Sequence, residues 1–373
     1  MYQPTFSTNF SGIYPQKCLP LPMNDRGLEI CKKKLSTIST YYHHLQEDFF
    51  LNLKQRIILM NMENLVEKIK QLKEEKNAII MAHYYQTSDI QDIADYVGDS
   101  LALAQQAAKT DADIIVLCGV HFMGETAKIL CPDKKVLIPD VNAGCSLADS
   151  CPADEFAKFV MDHPDHTVIS YVNTSAAVKA YTDIVVTSSN AKQIVDSFPA
   201  DEKIIFGPDQ NLGNYINSVT GRNMLLWNGA CHVHSKFSVE RILKLKEIYP
   251  QAKVLAHPEC KGAVLKLADF VGSTAAILKF AQRDESKEFI VATESGILHK
   301  MQLACPQKVF IPAPPDDSTC ACNECNFMRL NTMEKLYQCL LDESPEIFVD
   351  KDIAEKAIKP IQRMLEVSAR LGL

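Results

Sequence analysis

Three stretches of this chain repeat one another closely enough to dictate its architecture. Short apolar runs end in a polar or aromatic residue at Ile80-Met81-Ala82-His83, Val168-Ile169-Ser170-Tyr171 and Val254-Leu255-Ala256-His257. Twelve positions beyond each end stands an aspartate, Asp95, Asp183 or Asp269, and two further on a valine, Val97, Val185 or Val271. Seventeen positions beyond each end stands a hydroxyl: Ser100, Ser188 and Thr274. The ends themselves are 88 and 86 residues apart. Matching offsets at three kinds of position mark an internal structural repeat.

The runs are apolar throughout rather than alternating, the pattern of parallel strands covered on both faces. Helical stretches such as 101–109 follow, then a third strand (114–117, 204–206, 289–292) and a fourth (136–138, 225–227, 309–311). The fold class is α/β: three repeated αβα units, each a four-stranded parallel sheet, around a pseudo-threefold axis. Ligands of open α/β sheets bind beyond the carboxyl ends of the strands, so the three sets of strand ends converge on a central active site. The expected boundaries are 62–142 with a C-terminal helix 351–373 for the first unit and 143–230 for the second. The third is 231–350, with the terminal cysteine motif. Residues 1–61 form an N-terminal extension with Pro4, Pro15, Pro20 and Pro22 and no clear strand–helix rhythm. Met60 and Met62, just before a helix at 63–75, point to a natural start at one of them. An extra helix packed on the core is the competing reading.

Composition narrows the function. The chain carries a net charge of −7, with 47% hydrophobic and 23% charged residues. It lacks a dense Lys/Arg run, which argues against a nucleic-acid partner. No window reaches the roughly 18 uninterrupted apolar residues of a membrane helix, and no signal-peptide pattern opens the chain. A soluble, cytoplasmic protein is expected. Thirteen cysteines are an odd number for a disulfide scaffold. In a reducing compartment most are small buried hydrophobes and some are metal ligands.

Plain N-capping explains a single hydroxyl at a helix start. Ser100, Ser188 and Thr274 together, each opening a helix at one focus, bring amides and dipoles that suit phosphate or carboxylate groups. Neither Gly-x-Gly-x-x-Gly nor a Gly-Lys-Ser/Thr loop is present, so a small polyanionic substrate is indicated rather than a nucleotide. The strand ends continue as His83-Tyr84-Tyr85, Tyr171-Val172-Asn173 and His257-Pro258-Glu259. A lone His or Tyr there is more often structural; acid, base and hydrogen-bonding groups at three equivalent places point to catalysis. Only the third copy puts a carboxylate, Glu259, where Tyr85 and Asn173 stand in the others.

The cysteines add a metal. Cys118 ends a strand, Cys231 follows one in Cys231-His232-Val233-His234, and Cys320-Ala321-Cys322-Asn323-Glu324-Cys325 follows the last. The Cys-x-x-Cys suits half a zinc site or a redox pair, with only His232/His234 as a matching second pair. At least one cysteine per unit near the carboxyl ends suits instead a cubane iron–sulfur cluster with one iron lacking a protein ligand, a Lewis acid for hydroxyl or carboxylate substrates. The residues alone do not choose among Cys118, Cys145, Cys151, Cys231, Cys260 and the terminal trio.

Six strings now fall in a familiar order: Ala82-His83-Tyr84-Tyr85-Gln86, Gly98-Asp99-Ser100-Leu101, Cys118-Gly119-Val120-His121-Phe122-Met123, Gly144-Cys145-Ser146-Leu147-Ala148-Asp149, Cys231-His232-Val233-His234 and His257-Pro258-Glu259-Cys260. Over about residues 62–373 the chain resembles the quinolinate synthase family. The resemblance implies condensation of iminoaspartate with dihydroxyacetone phosphate to quinolinate in NAD biosynthesis. It implies a [4Fe-4S] cluster with one open iron, carried over to Cys118, Cys231 and Cys325. Family positions that hold the imino acid match His83, Ser100, Tyr171, Asn173, Ser188, His257, Glu259 and Thr274; Tyr85, His234 and Glu259 match catalytic positions. A functional link to an L-aspartate oxidase is also implied, with a homodimer among the allowed assemblies. The string Cys325-Asn326-Phe327-Met328 departs from the family's Cys-Pro-x-Met, which touches the local turn rather than the ligand. Cys320 and Cys322 keep a redox role open. Two rivals are an iron–sulfur hydro-lyase, separated by phosphate release, and a cluster- or zinc-based redox sensor, separated by metal analysis. Deleting residues 1–59 is expected to leave turnover intact, because the repeats lie downstream; loss of soluble protein or activity would show that the segment packs on the core.

Overall fold

In the computed structural model, residues 62–316 and 324–373 are described. The N-terminal extension and the Cys320/Cys322 pair lie outside the described residues. Three parallel sheets carry the chain, and all share one strand order. The first sheet is built from β1 (Ala78–His83), β2 (Tyr96–Gly98), β3 (Ile114–Cys118) and β4 (Lys135–Leu137), in the order β2-β1-β3-β4. The second uses β5 (Thr167–Tyr171), β6 (Ile184–Val186), β7 (Ile204–Gly207) and β8 (Leu225–Leu226), as β6-β5-β7-β8. The third uses β9 (Lys253–Ala256), β10 (Phe270–Val271), β11 (Glu288–Ala292) and β12 (Val309–Pro312), as β10-β9-β11-β12. The expected α/β repeat is present. Consecutive residues such as Ile115, Val116 and Leu117 of β3 are buried alike because helices cover both faces of the sheet.

The repeat aspartates have a structural task that their spacing did not disclose. Asp95, Asp183 and Asp269 each stand just before the short second strand. Each carboxylate accepts the amide of a first-strand residue: Ile80 at 2.8 Å, Val168 at 2.8 Å and Val254 at 2.7 Å. Each aspartate amide donates back to the carbonyl of that same residue. The side chain thus extends the ladder beyond the end of a strand of only two or three residues and fixes its register.

In every unit the chain passes from the first strand to one side and then crosses it to reach the third. The order therefore reverses between β1 and β3, β5 and β7, and β9 and β11, and such a reversal opens a crevice at the carboxyl ends. His83 and Tyr171 end β1 and β5, and His257 directly follows β9.

Units one and two share one core, in which Leu117, Ile169 and Phe206 meet Ala357, Ile361 and Met364 of the C-terminal helix Lys351–Arg370. The third sheet has a separate core on each face, one around Val254 and Ile290 and one around Leu255, Ile277 and Phe289. After β12 the chain returns to the first unit. Asn331 Nδ2 donates to the Gly119 carbonyl at 2.8 Å, the Ile138 amide to Pro345 at 3.2 Å, and the Ile347 amide to Val136 at 2.8 Å. The last two bonds cover the edge of β4, which would otherwise stand unpaired. Among the described residues no helix is long and apolar enough to cross a membrane.

Candidate active site

The helix starts need one correction. Ser100 and Thr274 open the helices Ser100–Ala107 and Thr274–Arg283, but Ser188 lies in a turn ahead of the helix Ala191–Asp196. There Asn190 Oδ1 accepts the Thr187 amide at 2.6 Å, closing the turn and delaying the helix. Nor do the first two hydroxyls cap. Asp99 and Ser273, one residue earlier, accept the amides of Ala102 and Ala276. Ser100, Ser188 and Thr274 keep their hydroxyls for the cavity that all three line. Beside them Ser189 Oγ donates to Asp99 Oδ2 at 2.6 Å and lies 2.8 Å from Ser273 Oγ. One side chain from each unit therefore meets in a single hydrogen-bonded contact.

The strand-end residues face the same cavity. Tyr171 donates its hydroxyl to Glu259 Oε1 at 2.6 Å, and His234 Nδ1 lies 3.0 Å from Glu259 Oε2. The His234 ring stacks on His257 at 4.5 Å between centroids, and His257 Nε2 lies 3.2 Å from Ser188 Oγ. Tyr85 places its hydroxyl 2.7 Å from Thr274 Oγ1 and 2.9 Å from Thr293 Oγ1. Thr293, absent from the sequence reading, also sits 3.0 Å from His234 Nε2 and so joins the two aromatic groups. His83 contacts the Tyr85 ring edge-on at 4.4 Å. The Asn173 carboxamide oxygen is buried without a hydrogen-bond partner on the cavity wall.

Charge is distributed unusually. No Lys or Arg appears among the described residues lining the cavity. Burial pushes His83 down to about 3 against the pull of Glu259. Burial, aided by repulsion from His234, takes His257 down to about 3 as well. The Tyr85 and Tyr171 phenols are held well above their usual value, first by burial and then by the Glu259 charge. Burial works to raise Glu259, but the attraction of His234 and His257 and the hydrogen bonds from His234 and Tyr171 outweigh it, holding the carboxyl below its usual range. Glu259 is only 2% exposed. The result is a dry, ionised carboxylate amid hydroxyl, phenol and imidazole groups, able to accept hydrogen bonds or a proton.

The cysteines divide. Cys145, Cys231 and Cys325 line the cavity. Cys118 does not: it is fully buried in β3, and its charged-state neighbours are Cys339 and Asp89. Cys151 and Cys260 are buried outside the cavity wall. Burial raises the Cys145 thiol to about 12 and pushes Cys231 and Cys325 upward too. Such thiols ionise only beside a cation. Cys231 Sγ, a His234 nitrogen and a Glu259 oxygen lie within 4.8 Å of one another, a candidate metal-binding group. Two further buried carboxylates were missed in the sequence. Asp209 and Glu294 are raised to about 7, chiefly by burial. Asp209 accepts the Cys231 amide and Glu294 the Cys325 amide. The signal that could have found them is register, since each stands two residues past the third strand of its unit.

Three α/β units closing their strand ends over an enclosed acid–base site with a candidate metal group define an enzyme. Residues 67–366 match the family described as NadA: Quinolinate synthetase A protein. The quinolinate synthase of Thermosynechococcus vestitus is 61% identical over 305 residues, 82% of this chain and 96% of that protein. That of Microcystis aeruginosa is 59% identical over 306 residues, with 82% and 96% covered. The quinolinate synthase of Chloroherpeton thalassium is 57% identical over 305 residues, with 82% and 95% covered. The chain belongs to the quinolinate synthase family.

The imidazole shift has a measurable consequence. His83 is neutral in the folded cavity down to about pH 3, whereas unfolded it takes a proton near pH 6.5. Between those limits the unfolded state binds the extra proton, so this group's contribution to stability falls as pH falls, by about 1.4 kcal/mol per pH unit. Asp209 and Glu294, raised to about 7 chiefly by burial, act with the opposite sign, so the part due to His83 must be read by difference. His83→Gln is expected to gain stability relative to the parent by that amount per unit as pH drops from 6.5 to 4.5, in urea unfolding of the metal-free protein. A constant difference across that range would show that His83 is protonated in the folded state.

Proposed function

We propose that the chain forms quinolinate from iminoaspartate and dihydroxyacetone phosphate, releasing phosphate and two waters, in NAD biosynthesis. The observation that carries this reading is the seating of an ionised, buried Glu259 among hydroxyl, phenol and imidazole groups on the same cavity wall as three thiols. A cavity without lining lysines or arginines suits anions held by hydroxyls and helix amides, here Ser100 and Thr274 at the starts of two helices. Asn173, with its unpartnered oxygen, suits the imino nitrogen or a protonated carboxyl.

Cys145, Cys231 and Cys325 are the proposed holders of a [4Fe-4S] cluster. Each lies in the segment after a fourth strand, β4, β8 or β12, and lines the cavity. Cys118, the position carried over from the family strings, ends a third strand instead and does not line it. Bound with one iron free of protein ligands, the cluster supplies a Lewis acid for loss of a hydroxyl as water.

The remaining work falls to the side chains. Glu259 takes a proton from the carbon of iminoaspartate that becomes nucleophilic. That carbon forms a bond to the triose as the phosphate ester breaks, and Ser100 and Thr274 with their helix amides stabilise the departing anion. Closure through the nitrogen releases further protons, which Glu259 and the adjoining His234 accept and return. Neutral His257 and protonated Tyr85 and Tyr171 orient the substrate by donating hydrogen bonds. An L-aspartate oxidase is the proposed source of the imine, and the many unpaired thiols suit a cytoplasmic setting.

Glu259→Gln keeps size but cannot accept a proton, so turnover is expected to fall roughly 10²–10⁴-fold with iron content unchanged. Near-normal quinolinate formation would leave Glu259 as scaffold. After anaerobic reconstitution, Cys145→Ala, Cys231→Ala and Cys325→Ala should each lack the cluster's visible absorption, whereas Cys118→Ala and Cys339→Ala should retain it. Loss in Cys118→Ala with retention in Cys145→Ala would return the first ligand to Cys118.

A further inference from the structure

Asp209 and Glu294 occupy the same place in their units, two residues past β7 and β11. Both are fully buried. The ordinary explanation for Asp209 is helix capping: its Oδ1 accepts the amides of Asn211 at 2.6 Å and Leu212 at 3.0 Å, opening the helix Gln210–Thr220. That task uses one oxygen. The other, Oδ2, accepts the Cys231 amide at 2.7 Å. Glu294 repeats the arrangement with different supports. Its Oε2 accepts the Gly296 amide at 2.7 Å and its Oε1 the Cys325 amide at 3.2 Å. Arg329 pairs with Oε1 at 2.8 Å and also donates to the Tyr85 carbonyl at 3.0 Å. In the first unit Val120 stands at the corresponding place, and no carboxylate is available there.

Capping does not require a charge, since Asn or Ser would serve as well, and burying a carboxylate is costly. Two independent units nevertheless direct a buried carboxylate to the amide of a cavity cysteine. We propose that Asp209 and Glu294 are positioning residues that tether Cys231 and Cys325 and keep the reduction potential of the cluster low. The inference rests on the reading of those two cysteines as ligands. The tether fixes each cysteine before iron arrives. It also occupies each amide, which is then unavailable to hydrogen-bond a cluster sulfur, and in its ionised form it places negative charge nearby. Withheld hydrogen bonds and added negative charge both favour the oxidised cluster.

Asp209→Asn keeps the Oδ1 cap but turns an NH₂ toward the Cys231 N–H, so it removes the tether and the charge and leaves the cap. Glu294→Gln removes the charge at the second corner. The full chain, reconstituted anaerobically with iron and sulfide, is the material for the test. Both variants are expected to hold iron about 10–100-fold more weakly in competition with a chelator, followed by visible absorption. Their reduction midpoints, from titration monitored by electron paramagnetic resonance, should move to more positive values. Asp209→Ser, which caps but is too short to reach Cys231, should reproduce the Asn result. Unchanged iron retention and midpoint in Asp209→Asn and Glu294→Gln would overturn the proposal and leave Asp209 a helix cap. A Cys231→Ala protein that kept its cluster would overturn the ligand reading itself, and the tether with it.

Discussion

Asp99, Ser189 and Ser273 meet where the three units touch, and the cavity is built outward from that contact. Asp99 is 8% exposed, so its carboxylate must be satisfied by protein donors. The Ala102 amide and the Ser189 hydroxyl do so. Both donors are available only when the helix Ser100–Ala107 of unit one and the turn of unit two are in place. Ser273, which completes the contact, caps the helix of unit three. Local folding and assembly are thereby coupled. Ser100, Ser188 and Thr274, each adjacent in sequence to one of these three residues, are brought together by the same contact.

The chemistry follows from how charge is rationed around that contact. A buried carboxylate at Glu259 is tolerable because Tyr171 and His234 bond to it. Burial keeps the surrounding imidazoles of His83 and His257 and the phenols of Tyr85 and Tyr171 neutral. Neutral donors bind anions without the strong hydration that a lysine would bring into the cavity. They also leave the carboxylate without a lysine or arginine partner among the described lining residues, so it stays ionised through its bonds to Tyr171 and His234.

Much of this was legible in the chain. Strand ends and hydroxyls kept their offsets because three backbones of identical topology must present them at one point, and backbone geometry is periodic. His83, Tyr171, His257, Glu259 and Asn173 could therefore be placed on the cavity wall from spacing and resemblance. Cys145 stood open as a candidate beside Cys118, which the resemblance assigns as a ligand; of the two, only Cys145 lines the cavity. Asp209 and Glu294 were not legible, because nothing local distinguishes a buried acid from the solvated acids that are far more common. The repeat aspartates stood out, yet their bond to the first-strand amide depends on a register that spacing does not contain. Ser188 was expected to open a helix, and Asn190 postpones that helix by closing a turn.

The return of the chain after β12 bears on the order in which the molecule can be completed. Residues that cover the β4 edge, and the arm that carries Cys325, come from the last part of the polypeptide but bond to Gly119, Val136, Ile138 and Tyr85 of the first unit. During vectorial synthesis the first sheet must wait with a bare edge until the third has emerged. The ring of units is closed by its newest segment onto its oldest. A stop codon shortly after β12 would then injure the first unit, far away in sequence, before it injured the third.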